Sequence, residues 1–360
     1  MPAIHGGVAM DRAMATKSLT VRSSADGPTV SAGYAAAVID VAVARGADRG
    51  ALLRLVCHDP ADNGPDARVP FGQFKALMQG AVRLCDDPAF GLHFGAESVF
   101  RDISIVGLIA HASATMAEAF AQMNRYSRLA IEVPGHGATG RFALVRFDGE
   151  LWIEDCRPDA GDFPELTEAT LARFISNTRR FMPDVPFAKA ACVRHARPAH
   201  AAAYDAILRV PVRFGAGRNA IAIHESWLSV PIPNANRYVF GLFSERAQAL
   251  MDALLQAQTV RGRVEAAILP LLHSGDIPMP RIAALMGRSR TSLYRDLKAE
   301  GVTFDALVDA LRHRMALHYL AGRRLSVGEV AYLLGFADPS SFTRAFRRWT
   351  GQSPGAGRGE

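Results

Sequence analysis

The sequence predicts an α+β front domain followed by an all-α carboxy-terminal domain of two helix-turn-helix units joined by a long helix. Three observations carry this expectation. A pattern of apolar helix, glycine turn and basic helix occurs twice near the end, its turn glycines Gly287 and Gly335 lying 48 residues apart. The positive excess of the 360-residue chain sits in the same stretch, with 15 Lys and Arg against 9 Asp and Glu from Arg261 onward and 26 of each sign before it. In the front part an Asp148-Gly149 pair between two β-like runs signals a hairpin amid helical periodicities.

Taken in order, residues 1–30 are rich in Gly, Ser and Ala and lack a continuous apolar run. They read as a disordered leader or as a start placed too early, and not as a secretory signal. An α+β domain is expected over 31–233. Tyr34–Arg45 is a helix closed by Gly46, Ala51–Val56 a short helix, Asp62–Arg68 a loop, and Phe71–Cys85 a helix opened by Pro70. Met116–Leu129 is a helix capped by Ser113 or Thr115. Arg141–Phe147 and Glu150–Glu154 form the hairpin, Pro164–Met182 returns to helix, and Ala190–His195 and Ala220–His224 are strands around a helix at Ala199–Leu208. Without a regular βαβ cadence, this is α+β. Residues 234–259 hold one long helix, Asn236–Ala257, whose apolar stripe serves either self-packing or pairing with a second copy.

The carboxy-terminal module, 260–358, opens with a helix at Val264–Leu272. Ile282–Gly287 matches Val330–Gly335, and Ser292–Lys298 matches Ser341–Arg347, apolar under apolar and cation under cation. Ser326 with Glu329 has the form of a capping box, and Asp338 followed by Pro339 suits an N-cap and first helical position. Phe342, Phe346 and Trp349 share one stripe, leaving Arg344, Arg347 and Arg348 elsewhere. A charge run on one helix is usually a solvated face. Its recurrence in a second copy argues for a helix-turn-helix that meets DNA. Phe304–Leu320 is the connecting helix.

Other chemistry is not supported. Gly135–Gly140 spells G-x-G-x-x-G but precedes a strand, where a dinucleotide site needs a helix. Gly351-Gln352-Ser353-Pro354-Gly355 spells a nucleophile elbow but trails a helix, so a helix stop is expected. His195 and His200 lack metal-ligand spacing, Glu154, Asp155 and Asp159 read as loop charges, and Trp152 as a core aromatic. Cys57, Cys85, Cys156 and Cys192 are scattered, which suits a reducing cytoplasm, and no apolar run is long enough for a membrane span. No metal, no cofactor and no enzymatic activity are expected.

The carboxy-terminal residues Arg281–Gly287, Ser289–Gly301, Leu333–Phe336, Phe342–Gly351 and Ser353-Pro354 closely resemble the AraC/XylS family of transcription regulators. That family usually continues with an aromatic and an arginine, where this chain has Gly355–Glu360. The front domain is similar to the effector-binding, arabinose-binding-type domain of the branch with ornithine-utilisation and virulence regulators, through Asp87–Leu92, Val210–Phe214 and Trp227–Pro231. Carried over by position, the resemblance implies base contacts from Thr291, Tyr294 and Arg295 in the first reading helix and from Ser340 and Arg344 in the second. It implies phosphate contacts from Arg290, Lys298, Ser326, Arg347 and Arg348, with the helices in successive major grooves roughly 34 Å apart.

The expected function is a sequence-specific transcription regulator, an activator before a repressor, that binds promoter DNA and RNA polymerase. Its front domain answers an unidentified small-molecule effector, and a homodimer is one of its expected forms. The alternative is a constitutive DNA-binding regulator whose front domain serves only dimerisation. An enzyme fused to a DNA-binding module is a third reading, without a catalytic constellation to support it.

Overall fold

The computed structural model describes residues 27–133, 140–158, 163–233, 235–321 and 325–355. The chain divides into two compact units, Met1–Met251 and Asp252–Glu360.

In the front unit β1 (Thr29–Ser31) runs straight into α1 (Ala32–Ala44), because the Ser31 hydroxyl accepts from Tyr34 N at 3.3 Å as an N-cap. Thr29 and Val30, inside the stretch expected to be a leader, are buried strand residues. Asp48 caps α2 (Arg49–Leu53), and the expected Asp62–Arg68 loop runs from a 3₁₀ turn, Pro60–Asn63, that overlaps its start to β2 (Arg68–Pro70), which pairs antiparallel with β1. There follow α3 (Phe71–Leu84), α4 (Phe90–Glu97), α5 (Phe100–Ile103) and α6 (Ile105–Ala112). Thr115 caps α7 (Met116–Arg125), and the single helix expected to reach Leu129 breaks at Tyr126 before α8 (Ser127–Ala130).

The hairpin forms as β3 (Phe142–Phe147) and β4 (Glu150–Asp155), with Asp148 and Gly149 both at positive φ, as a tight primed turn requires. After α9 (Pro164–Phe181) come β5 (Ala188–Cys192), α10 (Ala201–Leu208), β6 (Val212–Arg213), β7 (Ala220–Ile223) and a 3₁₀ turn, Glu225–Ser229. The sheet order is β3-β4-β7-β5-β6, antiparallel except for β5 with β6. Its alternating pattern buries Leu151, Ile153, Ile221 and Ile223 with Leu171 and Ile175 of α9 and with Tyr204 and Leu208 of α10. Trp152 lies in the separate cluster with Cys192, Ala220 and Ala222, the core role expected of it.

Helix α4 packs on α9 by backbone approach. A methyl group at Gly95 would lie 2.3 Å from Ala169 O, and one at Gly91 would lie 2.7 Å from Glu165 O. Asp155, expected to be a loop charge, ends β4 and is buried between Arg141 and Arg157, at 2.8 and 2.9 Å. Burial raises its pKa, but the two guanidinium groups outweigh that and hold it below the usual carboxylate range. The division between the units falls within α11 (Arg237–Gln258). Its front half is held by hydrogen bonds from Arg125 and Tyr126 to Gln248, at 2.8 and 3.3 Å.

The second unit contains α12 (Val260–Ile268), a 3₁₀ turn (Leu269–Ser274), α13 (Met279–Leu285), α14 (Arg290–Ala299), α15 (Phe304–Ala321), α16 (Val327–Leu333) and α17 (Pro339–Thr350). The expected helix to Leu272 ends early as a 3₁₀ turn because Pro270 has no N–H to continue the ladder. One core joins all six helices, with Leu293, Leu311, Val330, Phe342 and Phe346 at its centre.

Backbone cannot move aside as a flexible side chain does, so Gly95→Ala should destabilise the front unit by about 3 kcal/mol or more. Urea unfolding followed by near-ultraviolet circular dichroism checks this, and a change below about 1 kcal/mol would contradict the packing described.

Candidate nucleic-acid interface

Local chemistry starts α14, α16 and α17 where the sequence places them, whereas α12 starts four residues before the expected Val264. The Ser289 hydroxyl accepts from Ser292 N at 3.1 Å and begins α14. The reciprocal capping box of α16 forms, with Ser326 N donating to Glu329 at 2.7 Å and Glu329 N donating to Ser326 at 3.2 Å. Asp338 accepts from both N and Oγ of Ser341, at 2.9 and 2.7 Å, with Pro339 following as the first helical residue. The Ser341 hydroxyl and N–H hold the Asp338 carboxyl below its ordinary range. Gly351 closes α17 in the left-handed conformation, so the G-x-S-x-G run is a helix stop.

Each of α14 and α17 buries one face. Leu293 and Leu297 are under α14, and Phe342, Ala345 and Phe346 are under α17. Trp349 is only half-buried. Its ring stacks on His313 and its Nε1 donates to Asp309 of α15 at 2.9 Å.

The two turns differ in a way their matching sequences do not reveal. Gly287 and Gly335 both have positive φ, 64° and 74°, a conformation costly for other residues. A methyl group at Gly287 would meet nothing within 4 Å, whereas one at Gly335 would lie 2.3 Å from Leu272 O and 2.6 Å from Gly275 N. The Arg312 guanidinium of α15 closes this junction by donating to Leu334 O at 3.0 Å and Gly275 O at 2.6 Å, beside the Phe336 ring. Burial pulls its pKa down, opposed by Asp309. Glu265 of α12 is a second tie. It accepts from Arg261 and Arg314 at 2.9 and 2.7 Å, and these arginines more than offset burial and lower its pKa.

Above these buried faces, Arg290, Thr291, Tyr294, Arg295 and Lys298 are exposed on α14, and Ser340, Arg344, Arg347 and Arg348 on α17. Tyr294 is 56% exposed. Among the described residues, Arg290, Lys298, Arg344 and Arg347 have no ion-paired carboxylate, and Arg344 donates to the Ser341 hydroxyl at 2.9 Å. Arg348 is held by Asp309 at 2.7 and 3.0 Å. Ser326 is exposed, with its N–H and hydroxyl both engaged by Glu329.

The front unit holds a feature that residue spacing does not signal, a cavity of about 380 Å³. Its walls come mainly from α6, α7 and α9, with Tyr34, Arg141, Phe142 and Trp227. Among the described residues there is no cluster of ligands for a metal ion and no helix long and apolar enough to cross a membrane. His200 and Tyr204 bond Glu168 at 2.7 and 2.9 Å, and His195 bonds Tyr204 at 2.8 Å. Most of the G-x-G-x-x-G run, together with Asp159, lies outside the described residues.

Residues 46–232 match the family model for the arabinose-binding domain of AraC transcription regulators, and residues 282–359 match a helix-turn-helix domain. The chain is 29% identical over 326 residues to the ornithine utilization regulator of Pseudomonas aeruginosa, covering 89% of this chain and 94% of that one. It is 26% identical over 314 residues to the HTH-type transcriptional regulator VirS of Mycobacterium tuberculosis, covering 86% and 90%. The transcriptional activator NphR of a Rhodococcus species is 40% identical over 98 residues, 27% of this chain and 29% of that protein.

The two turn glycines should respond unequally to the same substitution. Gly287→Ala is expected to cost about 1–2 kcal/mol of conformational strain, and Gly335→Ala clearly more, since its methyl group would overlap two backbone segments. Chemical denaturation of the two variants gives the comparison, and equal losses would refute the tight second junction.

Proposed function

The chain belongs to the AraC family and is a DNA-binding transcription regulator; from that premise we propose that α14 and α17 read promoter DNA as the recognition helices of two helix-turn-helix units spaced by α15. The observation that carries the reading is a pair of helices, each anchored by a buried apolar face, that expose Arg290, Lys298, Arg344 and Arg347 with no carboxylate of the described residues within ion-pair distance. A surface built only for solubility tends to intersperse both signs.

In this reading Thr291, Tyr294 and Arg295 face base edges from α14, and Ser340 and Arg344 from α17. Arginine grips guanine O6 and N7 with two hydrogen bonds, so Arg295 and Arg344 carry most of the discrimination. Arg290, Lys298 and Arg347 neutralise phosphates and set register. Arg348 joins them once it leaves Asp309. Ser326 is the weakest phosphate candidate, because the Glu329 carboxylate already occupies its N–H. The front-unit cavity supports control by a small-molecule effector, whose binding must differ in free energy between DNA-competent and incompetent states. Recruitment of RNA polymerase, and hence activation, is the proposed output. Tyr238 and Leu242, 76% and 49% exposed on α11, support a homodimer.

Arg344→Ala should cost about 1–3 kcal/mol at the cognate site and relax preference at one base position. Arg347→Ala should weaken cognate and random duplexes alike and reduce the salt slope by about one. Fluorescence anisotropy on both duplexes across a salt series separates these roles, and equal losses on both for both variants would contradict the assignment. Asp309→Asn should release Arg348 and steepen the salt dependence, while its amide oxygen still accepts from Trp349. An unchanged slope would remove Arg348 from the phosphate set.

A further inference from the structure

We propose that the front-unit cavity binds an amphipathic monocarboxylate, its carboxylate paired with Arg173 and its apolar body filling the remaining space. This rests on the reading that the front unit takes an effector, and it names the chemistry of that effector.

Charge is the first argument. The described lining residues include Arg101, Arg141 and Arg173 but no Asp or Glu. Arg101 is partly exposed, and its Nε lies 3.4 Å from Asp102. Arg141 is buried but paired with Asp155. Arg173 is 8% exposed, and no carboxylate of the described residues lies within ion-pair distance of it. Its Nη2 donates to Ser98 Oγ at 2.7 Å, its Nη1 donates to the Tyr34 hydroxyl, and the rings of Tyr34 and Phe94 lie 4.4 and 4.9 Å away. Neutral hydrogen bonds and ring faces offset only part of the cost of a buried cation, so the site lacks an anion.

Hydrogen bonding is the second, independent argument. Two nine-tenths-buried lining residues carry N–H groups with no acceptor, Nε of Arg173 and Nε1 of Trp227, while no lining side chain carries a buried unpaired oxygen. Orphan donors without orphan acceptors call for a ligand that accepts, as a carboxylate does. A polyol hydroxyl could accept from the orphan donors but would leave the Arg173 charge unanswered, and an ammonium group would meet only like charge. The rest of the wall, including Phe120, Met123 and Phe174, is apolar and suits a hydrocarbon or aryl body.

The test titrates the full chain with decanoate and 4-phenylbutanoate, the matched alcohols 1-decanol and 4-phenyl-1-butanol, decylamine, and L-arabinose. Tryptophan fluorescence, located by comparison with Trp227→Phe, and thermal shift report binding, and anisotropy with promoter DNA reports coupling. The acids should bind at least about tenfold more tightly than their alcohols. Arg173→Gln should bring acid affinity down to that of the alcohol, and Arg173→Lys should keep part of the preference. If Arg173→Gln fails to fold, the acid-to-alcohol ratio of the unaltered chain decides. An alcohol, the amine or arabinose binding as tightly as the acids overturns the anion assignment and leaves the effector reading standing. Binding of none of the six overturns the assignment. Acids that bind without changing DNA affinity uphold the site and overturn the effector reading instead.

Discussion

The turn that leads into α17 is closed by one guanidinium. Arg312 reaches from the connecting helix to the carbonyls of Leu334 and Gly275, at the end of α16 and in the turn before α13. Helix ends leave carbonyls without partners, and a charged donor answers two of them with one rigid group. The contact works because Gly275 and Gly335 let two stretches of backbone meet where any Cβ would intervene. The turn before the second basic helix is thus a backbone junction that side-chain repacking cannot readily shift.

What was legible in the sequence is what is decided within a few residues. The Ser326 and Glu329 pair and the Asp338-Pro339 start both form as read, since each cap bonds to an N–H at most three residues away. The Asp-Gly hairpin and the Phe342 and Phe346 stripe are of the same kind. Trp349 shows the limit. Helical spacing places it with those rings, but its indole N–H bonds Asp309, some forty positions earlier in the chain, and it stays half-buried.

The front unit was legible as α+β but not as a container. Its cavity is assembled from segments scattered between Tyr34 and Pro233, and no local period marks such a wall. Arg141, Asp155 and Arg173 look in the sequence like ordinary surface charges, yet all three are buried. The front 260 residues balance to zero in sum, while the described lining of the cavity holds arginines and no carboxylate. Composition counts charges without saying which have lost their water.

The open space around Gly287 and the crowding around Gly335 make the two halves of the repeat unequal partners for change. At the first turn a substitution meets only torsional strain. The second turn is mortared to its neighbour, so the same change there must also push two stretches of backbone apart.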